Sequence, residues 1–155
     1  MIAKPPIIII GLGNVYRGDD RVGVIIAQKI KALNLSGVKV YDCMNDGSQL
    51  IETWTGAGRV YVVDCAVSGQ KAGFIYRFDA LTEKIPEKCF AHFSTHAISV
   101  GDAVELAKTL GELPESLIVY GITGINFEAG TEMTPEVNRA ADEVIERILN
   151  EIAER

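Results

Sequence analysis

The chain has 155 residues, 48% of them hydrophobic and 23% charged, enough for one domain with a sizeable core and ordinary for a globular protein. Its 15 lysines and arginines against 21 aspartates and glutamates leave a net charge of −6, which argues against nucleic acid or an anionic membrane surface as partner. No apolar run reaches transmembrane length, no leader with a cleavage site precedes the first apolar run, and the cysteines (Cys43, Cys65 and Cys89) are too few and too scattered for a disulfide framework or a zinc knuckle. These features fit a reducing, cytoplasmic setting.

Ile7-Ile8-Ile9-Ile10 reads as a strand buried on both faces, as in a parallel sheet. A glycine-rich turn with Asp19-Asp20 follows, and a helix is expected from Arg21 to Leu33, with Gly23 letting it approach the sheet closely. A second strand covers Val38 to Tyr41 and ends at Asp42; a loop follows from Cys43, and a short helix runs from Gln49 to Trp54, with Trp54 in the core or partly buried. The third strand, Arg59 to Val63, closes at Asp64. The link onward is too short for a crossover helix. The fourth strand, Phe74 to Phe78, should therefore run antiparallel to the third, at a sheet edge. An irregular stretch containing Pro86 and His92 leads to a helix from about His96 to Leu110, then to a fifth strand, Ser116 to Ile122. Thr134-Pro135-Glu136 is a helix start signal: an N-cap hydroxyl, proline in the first turn, then an acid. The whole, residues 1–155, reads as a single three-layer α/β/α domain on a five-stranded mixed sheet, mostly parallel with one antiparallel strand.

The first turn looks like a phosphate loop but lacks its chemistry. Tyr16 stands where a dinucleotide fingerprint needs its third glycine, and Asp19-Asp20 stand where a phosphate loop needs Lys and Ser or Thr. Two anions at a helix N-terminus repel phosphate and attract a cation. Asp19 reads as the helix N-cap. Asp20, Asp64 and His96 all fall at the carboxyl ends of strands, where open α/β sheets bind ligands. Two carboxylates and an imidazole suit a borderline divalent metal with positions left for water or substrate. On spacing alone, a strand-end cap for Asp64 and a capping or core histidine for His96 serve as well. No Ser/His/Asp or Cys/His arrangement is readable, and each cysteine, Cys65 included, reads as a small buried apolar group.

Gly11-x-Gly13-Asn14-x-x-x-x-Asp19-Asp20-x-x-Gly23 resembles the signature of the hydrogenase maturation endopeptidases, and the resemblance continues in order through Val62-Val63-Asp64, Ser94-Thr95-His96 and Thr134-Pro135-Glu136-Val137. It implies a five-stranded sheet with one antiparallel strand, agreeing with the reading above. It implies Asp20, Asp64 and His96 as catalytic and metal-binding residues. The implied activity is removal of a C-terminal peptide from a nickel–iron hydrogenase large-subunit precursor, with nickel brought by that precursor or another divalent ion in its place. Metal-assisted hydrolysis is the mechanism expected. The chain departs from the family's usual pattern at Arg21, where glycine is common, near Gly124, where proline is common, and at Asp42-Cys43-Met44-Asn45, a stretch expected to contact the precursor, with the Cys43-Met44-Asn45 loop expected to be mobile. The rival readings are a nickel-recognition or chaperone module that binds precursor without cutting, and a nucleotide-binding α/β module with Asp42 as a ribose ligand.

Overall fold

Four consecutive isoleucines are well placed only where a strand is covered on both faces, and that is where they lie. The computed structural model describes residues 5–90 and 98–154, with only the backbone of Cys43. β1 (Ile7–Leu12) runs parallel between β2 (Val38–Met44) and β3 (Arg59–Ala66). β3 pairs in parallel with β5 (Ser116–Thr123), and β4 (Ile75–Asp79) closes the edge antiparallel to β5, giving the order β2-β1-β3-β5-β4.

Successive side chains alternate between two cores. Ile8, Ile10, Val60, Val62, Leu117 and Val119 meet α2 (Leu50–Trp54) and α3 (Val100–Leu110) on one face. Ile7, Ile9, Tyr61, Val63, Ile118 and Ile122 meet α1 (Val22–Lys31) and α4 (Pro135–Ala153) on the other. Each such side chain contributes about 1.5–3 kcal/mol on burial, so the strands carry little polar alternation. Trp54 is fully buried and donates its indole N–H to the Glu112 carbonyl at 2.9 Å. Among the described residues no helix is long and apolar enough to cross a membrane.

Three boundaries differ from the sequence reading. β4 is antiparallel and at an edge, as expected, but its hydrogen-bonded neighbour is β5, which lies between it and β3. β5 is buried from Leu117 onward and needs strands on both sides, whereas β4 is only half-buried and tolerates an edge. The third helix, α3, starts at Val100, four residues later than expected. The Ser99 hydroxyl accepts from the Asp102 N–H at 3.1 Å while the Asp102 carboxylate accepts from the Ser99 N–H at 3.4 Å, a capping box that fixes the start there. β2 runs on to Met44, so Cys43 and Met44 belong to a strand where a loop was expected.

Candidate active site

The chain leaves β1 through α1 to reach β2 on one side, and β3 lies on the other. The crevice outside the carboxyl ends of β1 and β3 is thus the point where strand order reverses. Asp64 is the third residue from the end of β3, which runs on to Ala66 where the sequence reading closed it at Asp64, and Asp20 lies in a 3₁₀ turn, Gly18–Arg21, that feeds α1. Gly23 makes this junction tight: a Cβ there would sit 2.3 Å from the Val63 carbonyl oxygen. Gly13 does the same for the turn. With φ at +143° it lets the backbone fold back so closely that a Cβ would sit 2.0 Å from the Asp20 carbonyl oxygen.

The two carboxylates are buried, each 8% exposed. Burial raises the Asp20 carboxyl above the usual range; the Asn14 N–H, donating to Asp20 Oδ2 at 3.0 Å, and the charge of Arg17 work the other way. Asp64 is pushed up well above the usual range, first by burial and then by the charge of Asp20, against a single opposing hydrogen bond from the Cys65 N–H at 2.8 Å. Asp20 and Asp64 are therefore close enough to sense each other, two acids sharing one desolvated crevice. Such a pair recruits a proton or a cation.

The remaining sequence-predicted residues fall out as follows. His96 and His92 lie outside the described residues, and among the described residues no group of three His, Cys, Asp or Glu side chains could hold a metal ion. The structure thus brings Asp20 and Asp64 together and leaves His96 to experiment. In the Asp42–Asn45 stretch, Asp42 forms an ion pair with Lys31 at 3.6 Å, Met44 is buried in the core, and Asn45 is exposed. Cys65 and Cys89 are buried free thiols. Burial and then the charges of Asp64, Asp20 and Asp19 push the Cys65 thiol far up, and burial with Asp64 pushes Cys89 up to about 11, so neither is an activated nucleophile.

Asp19 corrects the sequence reading. It is not a helix cap: neither the 3₁₀ turn nor α1 has a side-chain N-cap bond. Its carboxylate is fully buried and reaches across to the segment between β5 and α4. Oδ2 accepts from the N–H groups of Ile125 at 2.9 Å and Asn126 at 3.0 Å; Oδ1 accepts from the Thr134 N–H at 2.7 Å. The Thr134 hydroxyl, expected to cap α4, makes no cap bond and instead lies 3.3 Å from Asp19 Oδ2. Sequence reasoning also passed over Arg21, whose guanidinium donates to the Gly18 carbonyl at 3.2 Å and to the Thr131 carbonyl. Its only signal was the departure from glycine at that position.

The sequence model described as HycI, hydrogenase maturation protease, matches residues 24–151, a span that includes Asp64 and His96 and begins just after Asp20. The hydrogenase 2 maturation protease of Escherichia coli is 23% identical over 153 residues, covering 96% of this chain and 91% of that protein. Protein FrxA of Pyrococcus furiosus is 34% identical over 143 residues, covering 88% of this chain and 98% of that one. The fold matches the solved structure of the hydrogenase maturating endopeptidase HybD of E. coli with a TM-score of 0.73 at 22% identity, covering 96% of this chain and 93% of that one. With the family model spanning most of the sequence and these relatives aligned along nearly its full length, the chain belongs to the hydrogenase maturation protease family.

Proposed function

We propose that this protein removes the C-terminal peptide from a nickel–iron hydrogenase large-subunit precursor, and does so only when the precursor carries its nickel. The observation that carries the reading is the pair of buried carboxylates, Asp20 and Asp64, at the strand-order reversal, each pushed toward protonation and neither ion-paired with a lysine among the described residues. Two oxygen donors in a desolvated crevice fit a divalent ion, and by the family resemblance His96 adds a nitrogen.

In this scheme nickel is part of the substrate. A precursor without it leaves the repulsion between Asp20 and Asp64 in place, whereas a loaded precursor replaces that repulsion with coordination, so docking itself selects for loading. A divalent ion held there would polarise the scissile carbonyl or acidify a bound water. The Asn14 N–H and the charge of Arg17 partly offset the burial that pushes the Asp20 carboxyl toward protonation. A carboxylate of the pair would accept the proton released when water attacks. Asn45, which follows β2, is exposed and belongs with Asp42, Cys43 and Met44 to the stretch expected to contact the precursor.

The test is incubation of the purified protein with nickel-loaded and nickel-free precursor, followed by intact-mass measurement. Loss of the C-terminal peptide from the loaded form alone is expected. A loaded precursor that binds but keeps its mass identifies a recognition module that does not cut, and overturns the proposal.

A further inference from the structure

The two adjacent acids of the opening motif have separate tasks, and the geometry defines that of Asp19. An ionised carboxylate has about four acceptor positions. Asp19 uses them on the N–H groups of Ile125, Asn126 and Thr134 and on the Thr134 hydroxyl, which leaves none for a metal ion. The same residue's backbone N–H donates to the Asn126 carbonyl at 2.8 Å. Both its main chain and its side chain are thereby fixed to the segment that leaves β5. Two further ties run alongside. The Gly130 N–H donates to the Tyr16 carbonyl at 2.8 Å, and Arg21 bridges the carbonyls of Gly18 and Thr131. Residues 124–134 are thus stapled along residues 16–21, with the fully buried Asp19 at the centre.

Asp20 is the next residue in the chain, and its carboxylate is aimed by a bond from the Asn14 N–H on the same turn. We propose that Asp19 is a positioning residue for precursor cleavage: it latches residues 124–134 onto the turn that carries Asp20, holding the Asp20 carboxylate in one fixed relation to the segment that leaves β5. This rests on the cleavage reading above for its consequence, and on the hydrogen bonds alone for its mechanism.

Asp19→Asn is the informative variant. The amide keeps the shape, but its NH₂ must face N–H donors on one side. It is compared with a core truncation on α4 chosen to lower the melting temperature equally, Val144→Ala or Ile148→Ala, both far from reacting groups. Amide hydrogen exchange on the metal-free proteins reads the latch directly. Asp19→Asn should speed exchange at Ile125, Asn126 and, through the displaced turn, Asn14, by roughly tenfold relative to the matched control. Its kcat/KM on nickel-loaded precursor should fall on the order of 10–100-fold, while the control stays near wild type. If Asn14 remains as protected as in the control, or if both variants lose activity in proportion to stability alone, Asp19 is merely structural and the proposal is overturned. If the wild type itself fails to cleave, the cleavage reading falls, and exchange at Asn14 still decides the latch.

Discussion

Gly23→Ala sets two effects of opposite sign against each other. On helix propensity alone, replacing a glycine inside α1 by alanine should stabilise the protein by about 1 kcal/mol. The packing opposes this. The new Cβ would lie 2.3 Å from the Val63 carbonyl oxygen and 2.4 Å from the Leu12 carbonyl oxygen, both rigid backbone of the two central strands. Relief to 3.0 Å, the near limit of real Cβ contacts, requires α1 to withdraw by about 0.7 Å. The helix seats Val22, Val24, Ile26 and Ile30, all at most 1% exposed, against the sheet. A gap of that size forfeits about a quarter to a half of their dispersion contact, and each side chain contributes roughly 2 kcal/mol on burial. The loss is therefore about 2–4 kcal/mol and outweighs the propensity gain. Net destabilisation of about 1–3 kcal/mol is expected, a fall in melting temperature of roughly 3–10 °C for a chain of this size. Thermal and urea unfolding of the chelator-treated protein measures it. A variant as stable as wild type, or more so, would refute the argument that this glycine exists for close approach. Because Gly23 follows Asp20 by one turn, cleavage should fall further than stability does.

Three other outcomes are expected. Asp64→Asn should make the metal-free protein more stable at neutral pH, since the amide keeps the bond from the Cys65 N–H and removes a buried charge that repels Asp20. Burial and the charge of Asp20 raise the folded-state pKa of Asp64 well above that of an ordinary carboxyl, so wild-type stability is highest below the ordinary carboxyl range and declines as pH rises through the raised pKa. The stability gap between variant and wild type should open over the same window, and melts recorded across it that show a less stable variant at neutral pH would refute this. His96→Ala should abolish precursor processing and weaken nickel binding with little change in the melting temperature of the metal-free protein, checked by mass measurement, nickel titration and thermal melts. Cys65→Ala should still cleave, because a thiol pushed so far up has almost no thiolate to offer at neutral pH; loss of cleavage with the fold intact would reopen the nucleophile question.

The layers of this fold were legible because apolar periodicity is local information. Four isoleucines in a row, Arg59 to Val63, and Ser116 to Ile122 report burial on both faces without reference to one another. The partner of β4 was not legible, since strand adjacency depends on which neighbour β5 needs, a long-range matter. The start of α3 was misread because His96 was included in the helix, while the capping pair Ser99 and Asp102 lay three residues further on in plain view. At the site, Asp20 and Asp64 were readable from their places at strand ends. Asp19 was not, for a physical reason: a carboxylate beside a helix start looks like a cap, and nothing local reveals that its acceptors are taken by residues more than 100 positions away. Thr134 misled in the complementary way, with an N-cap hydroxyl that turns to Asp19.

The central claim is that the buried pair Asp20 and Asp64 performs the cleavage. It is tested most directly by following the mass of nickel-loaded precursor over a single turnover with wild type, Asp20→Asn and Asp64→Asn, each first shown to be folded. The wild type should release the C-terminal peptide while both variants leave the precursor at full mass. Release by either variant at the wild-type rate would contradict the account.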